Sequence, residues 1–180
     1  QDPKPFIFEA ADINSDETIN ILDVVGTINL VLGSSSASIT SQGLSTAEYS
    51  IEDGILYIDS PVDIAGVQFY LISPEEVQFT PLEALEGMEY ITSKLDSDSA
   101  TDQLMAFSMM GRAIPAGRHP ILCVGNASLS NIVLSDKWGN SVNAQNRMPT
   151  AIESITPAKQ SAEREGIYDL MGRRITKPSK

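Results

Sequence analysis

The chain of 180 residues holds one cysteine, one histidine and one tryptophan. Those shortages set its first limits. With Cys123 alone no disulfide can close within a monomer, and its setting in PILCVG reads as a small apolar side chain in a strand. A Ser-His-Asp triad would have to use His119, which sits beside Pro120 in a turn with no G-x-S-x-G elbow elsewhere. The usual zinc signatures, H-E-x-x-H and C-x-x-C, are missing, as are a Walker loop and a G-x-G-x-x-G turn. Positive charge is scarce too. Twelve Lys and Arg against 24 Asp and Glu give a formal net charge of −12, which argues against nucleic acid, whose binding rests on neutralised phosphates. No run approaches the roughly eighteen apolar residues of a membrane-spanning helix.

What is present begins with one stretch, Asp12 to Asp23, reading DINSDETINILD. Asp12, Asn14, Asp16, Thr18, Asn20 and Asp23 occupy positions 1, 3, 5, 7, 9 and 12 of a twelve-residue loop. That spacing gathers oxygen ligands around calcium in an EF-hand. As such a loop curls, every second side chain turns inward, while Thr18 offers its backbone carbonyl. Three carboxylates then face one Ca²⁺. Ile19, at position 8, is the apolar residue expected to tuck against the following helix. Position 6 favours positive φ and usually holds glycine; here it is Glu17, at a cost of about 1 kcal/mol of strain. The competing reading is an acidic N-terminal helix cap, for which Asp and Asn are also common. The ligand-type residues in register favour calcium.

After the loop, Ile21, Val24, Val25, Ile28, Val31 and Leu32 recur at helical spacing, and Gly33 ends the segment. They make one broad apolar face, the candidate partner-binding surface. A helix of about a dozen residues is marginal alone in water, so another surface must cover that face. Gly26, costing about 1 kcal/mol relative to Ala, also suggests close approach. SSSAS at 34–38 reads as a linker.

From Ile39 onward the pattern changes to short alternating runs between turn residues. The Asp53-Gly54 dipeptide predicts a hairpin between runs at 49–51 and 55–58. Val67, Phe69 and Leu71 alternate with Gln68 and Tyr70 as a strand with one buried face. Further strands are expected at 77–80, 90–95, 104–110, 120–125, 131–134 and 141–143, with a helical turn at 82–87. A brief strand or packed arm is plausible at Phe6, Ile7 and Phe8. The fold expected is mainly β: an antiparallel β-sandwich of eight or nine strands in two sheets, with a small N-terminal loop and helix.

The pattern D-x-N-x-D-x-x-I-N-x-x-D followed by ILDVVGTINLVLG resembles a dockerin, the calcium module that plugs secreted polysaccharide-degrading enzymes into cohesins. A dockerin carries two such repeats; only one is found here. The runs IAGVQFYLISPEEVQF at 64–79, IPAGRHPILCVGN at 114–126 and NIVLSDKWGNSV at 131–142 resemble a cohesin, a jelly-roll module. The tail GIYDLMGRRITKPSK resembles the C-terminal segment of secreted and surface proteins of Bacteroidetes. These resemblances imply a half-dockerin at 1–36, a cohesin-like sandwich at 37–148 and a linker and tail at 149–180. They imply a secreted or cell-surface adhesion or scaffolding module that binds Ca²⁺ and whose helix meets a cohesin-like surface, in its own chain or in a partner. With 24 acids a hydrolytic carboxylate pair is formally open, but a sandwich of short strands offers no obvious deep cleft, and no enzyme is expected. The alternative is a carbohydrate-binding module, with Trp138 as the platform on which a sugar stacks.

Overall fold

A computed structural model of the chain describes residues 7–33, 45–73, 80–94 and 101–147. Expectations that fall on other residues, among them the 34–38 linker, most of the strand at 77–80 and the C-terminal tail, lie outside the described residues. The elements run α1 (Phe8–Ala11), α2 (Ile21–Val31), β1 (Ser45–Glu52), β2 (Ile55–Ser60), β3 (Ile64–Ile72), β4 (Thr80–Pro81), a 3₁₀ turn (Glu83–Leu85), β5 (Glu89–Lys94), β6 (Thr101–Phe107), β7 (Gly117–Cys123), β8 (Ser128–Asp136) and β9 (Ser141–Asn146). At the start of the chain, Phe8 opens a single helical turn where a short strand or arm was plausible.

The nine strands among the described residues form one hydrogen-bonded ladder in the order β4-β7-β2-β1-β9-β8-β3-β6-β5. Side chains from both ends of that order share one core. Leu56 and Ile58 of β2 and Ile121 and Leu122 of β7 lie in the same buried cluster as Val67, Phe69 and Leu71 of β3 and Leu104 and Ala106 of β6. A flat sheet could not bring them together, so the ladder curls over itself into a sandwich-like fold. Strand pairing departs from the antiparallel expectation at one place. β1 and β9 run parallel, Ser45 beside Val142 through Tyr49 beside Asn146. The hairpin expected at Asp53-Gly54 is present, with both residues at positive φ, 51° and 76°, as a two-residue turn between twisted strands requires. Pro120 lacks an N–H for the ladder, and the β2–β7 register slips between Leu56 and Tyr57, the latter paired with Pro120.

β3 is buried on both faces, where one was expected. Val67, Phe69 and Leu71 enter the sandwich core, while Gly66 and Gln68 face away from it and are covered by α2. This explains why IAGVQFYLI reads as a nearly continuous apolar run. Ile21 and Val25 of the helix pack with Ala65, and Met105, Phe107 and Val133 of the neighbouring strands flank them. Two hydrogen bonds fix the helix at its ends. The Ile21 N–H donates to Gln68 Oε1 at 3.0 Å, and Asn29 Nδ2 donates to the Lys137 carbonyl at 3.1 Å.

Gly66 is the slot into which the helix fits. A Cβ added there would lie 2.6 Å from Ile21 Cγ1, 2.8 Å from Val25 Cγ2 and 3.2 Å from Ser135 Cβ. Gly66→Ala is therefore predicted to lower unfolding free energy by about 1–3 kcal/mol in denaturant titrations, since an overpacked seam must spread. Gln68→Leu is predicted to cost a similar amount, about 1–3 kcal/mol, by leaving the buried Ile21 N–H without its acceptor. Wild-type stability in both variants would mean that the helix is not seated on β3 in solution.

Candidate functional site

The loop ahead of α2 is tied together by its own oxygen-bearing side chains. Asp12 Oδ1 accepts the Asp16 N–H at 3.1 Å and Oδ2 accepts the Glu17 N–H at 3.0 Å. Asn14 Oδ1 accepts the Asp16 N–H, and Asp16 Oδ1 accepts the Thr18 N–H at 2.9 Å. Each is a short side chain reaching a backbone amide a few residues on, the local turn that Asp and Asn favour. Asn14 Nδ2 also donates to Asp16 Oδ2 at 2.8 Å. The curl places Ser15 and Glu17 at φ of 58° and 65°. The positive φ expected at the sixth position thus falls on a residue with a Cβ.

Asp23 joins the loop to the helix. Its Oδ1 accepts the Ile13 N–H at 2.9 Å, and its Oδ2 accepts the Asn20 N–H at 2.9 Å. Asn20 in turn caps α2, its Oδ1 accepting the Leu22 N–H at 2.8 Å. These two residues form a capping box, which satisfies amides that a helix start leaves open. The calcium and helix-cap readings of the sequence therefore share Asn20 and Asp23, and the structure shows both residues at work in the cap.

Asp12 and Asp23 are buried, and among the described residues no ion pair involves Asp12, Asp16 or Asp23. Burying a carboxylate is costly unless it is hydrogen-bonded or paired, and backbone amides bond both of these. Among the described residues no three His, Cys, Asp or Glu side chains converge as a finished cage. The donor set nevertheless suits a hard cation: it is all oxygen, and a carboxylate oxygen with one N–H bond keeps a lone pair for a metal. Ile19, expected to tuck against the helix, is 39% exposed.

The six expected helix-face residues divide in two. Ile21, Val25 and Ile28 are buried on their own sheet, and Val24 is half-buried. Val31 and Leu32 are 77% and 50% exposed. Beside the helix these last two, with Val24, Thr27, Ile28, Phe107 and Met109, line an apolar groove of about 300 Å³. Trp138 stands at the tip of the β8–β9 turn, 44% exposed, with Lys137 Nζ 5.2 Å from its ring centre. The turn is set by Asp136, whose Oδ1 accepts the Trp138 and Asn140 N–H groups. Sequence reading missed Gly66, Gln68 and Asn29. The signal for Gly66 was a glycine inside an apolar strand run; for the two amides there was none beyond a polar residue on an apolar face.

No protein-family model and no curated protein matches the sequence. Solved structures similar to this chain include cohesins. A non-cellulosomal cohesin from Archaeoglobus fulgidus is 12% identical, with TM-score 0.39, covering 56% of this chain and 84% of that one. The sixth cohesin of scaffoldin B from Acetivibrio cellulolyticus, solved with a mutant dockerin, is 10% identical, with TM-score 0.39 over 59% of this chain and 95% of that one. A type I cohesin–dockerin complex from Clostridium thermocellum gives 8% identity and TM-score 0.36, covering 62% and 94%.

Proposed function

We propose that this chain is a non-catalytic, calcium-binding adhesion or scaffolding module of the cohesin and dockerin type, secreted or displayed at the cell surface. In this reading Ca²⁺ is held by the side chains of Asp12, Asn14, Asp16, Asn20 and Asp23 and the carbonyl of Thr18. Its role is structural. The observation that carries the reading is the chain of bonds from loop to sheet. Asp23 ties the loop to the start of α2, and the next residue bonds are those of Asn20 to Leu22 and of Ile21 to Gln68. A cation that fixes the loop oxygens would fix the register in which the helix meets β3. The helix face is then spent on its own sheet, and a partner in trans meets Val31, Leu32 and the rest of the surface.

Calorimetric titration with Ca²⁺, alongside melting curves with and without chelator, tests the proposal. One site of micromolar or tighter affinity is expected, in the range of sensor EF-hands at about 10⁻⁷–10⁻⁵ M. At about a hundredfold excess over the dissociation constant the ion should add about 2.7 kcal/mol of stability, and Asp12→Ala should abolish both heat and stabilisation. No heat in the parent would contradict the reading. Glu17→Gly is predicted to tighten Ca²⁺ binding about fivefold, because relieving about 1 kcal/mol of left-handed strain favours the curled loop.

A further inference from the structure

The two ends of the strand ladder are treated differently. At one end the described part of β4 is Thr80–Pro81, and Pro81 has no N–H to offer. At the other end β5 runs six residues, EYITSK, without proline, and every residue is exposed. It pairs antiparallel with β6 on its inner side, and among the described residues nothing pairs with its outer side. Tyr90 and Ile91 are 47% and 56% exposed. Lys94, its side chain half exposed, pairs with Asp102 of β6 at 3.5 Å. A strand edge whose outer groups are unpaired among the described residues is a template for another strand.

We propose that β5 pairs antiparallel with β5 of a second copy of this chain, joining two ladders into one sheet across a two-fold axis. The occupant follows from the strand's self-complementarity. A two-fold axis perpendicular to the sheet keeps each face on its own side, so residues of like parity must lie opposite each other. Centred on Ile91, the register sets Ile91 against Ile91 of the second copy, Tyr90 against Thr92 and Glu89 against Ser93. Aromatic and β-branched neighbours of this kind stabilise a sheet, and no like charges meet. Centring on Thr92 instead would oppose Tyr90 to Lys94 and pull the lysine from Asp102. On the helix-bearing face, Ile91 lies beside Met105 of β6, so the new seam continues the apolar surface that runs to Phe107 and the groove along α2. Each copy carries a net charge of −12, so the pairing works against long-range repulsion and strengthens as salt screens it.

Sedimentation velocity on the full chain over a concentration series, at low and high ionic strength, gives the oligomeric state. A monomer–dimer equilibrium that tightens with salt is expected. Ile91→Lys, an exposed change that would set two lysines face to face on the axis, should weaken the dimer at least tenfold while leaving the melting curve near that of the parent. Register is read by cysteine substitution in a Cys123→Ser background. Ile91→Cys should oxidise to a covalent dimer, because directly opposite residues sit about 4.5–5.5 Å apart at Cα, within disulfide reach. Ser93→Cys should not. A monomer at all concentrations, an undiminished dimer in folded Ile91→Lys, or equal cross-linking at both positions would overturn the proposal.

Discussion

The contact on which the rest of the structure depends is the seating of α2 over Gly66. A strand in the middle of a ladder has two faces, and β3 gives Val67, Phe69 and Leu71 to the sandwich core and the other face to a helix that precedes the sandwich in sequence. The absence of one side chain makes this possible. With Ile21 and Val25 packed where a Cβ would stand, helix and sheet approach as closely as backbone geometry permits. A helix of 11 residues, marginal in isolation, is held because its buried face is apolar and its polar ends find Gln68 and the Lys137 carbonyl.

The loop stands immediately upstream of that seat, and its chemistry and the helix's mechanics meet in a few atoms. Asp23 accepts amides from both Ile13 and Asn20, so the entry to the loop, its exit and the first turn of the helix share one carboxylate. Any cation that draws on Asp23 must act on the helix start as well. This gives calcium a structural purpose in the proposed function without a second repeat: the surface that steadies the helix is supplied in cis by β3, β6 and β8.

Much of this was legible in the sequence where the signal is local. Asp53-Gly54 announced its hairpin, the alternating runs after Ile39 marked the strands, and DINSDETINILD marked a loop whose oxygens do fold onto their own backbone. What was not legible depends on distant partners. The parallel pairing of β1 with β9 joins residues nearly a hundred apart, and no periodicity carries such information. Gln68 looked like the solvent side of a half-buried strand because its partner, the Ile21 amide, lies 47 residues away. The helix face was read as one stripe, yet only its first two turns reach the sheet, which ends its cover before Val31 and Leu32. Ile19, expected to tuck against the helix that follows its loop, stands exposed.

The account turns on a coupling between the loop and the seated helix, and backbone hydrogen exchange reports on that coupling most directly. Exchange would be followed at the amides of residues 21–31 with saturating Ca²⁺ and with chelator, in the parent and in Asp12→Ala. The account predicts slow exchange across the first two turns with calcium, and faster exchange both in chelator and in the variant, while the β3 amides bonded to β6 and β8 stay protected. Identical helix exchange in all four samples would separate the loop from the helix and contradict the account.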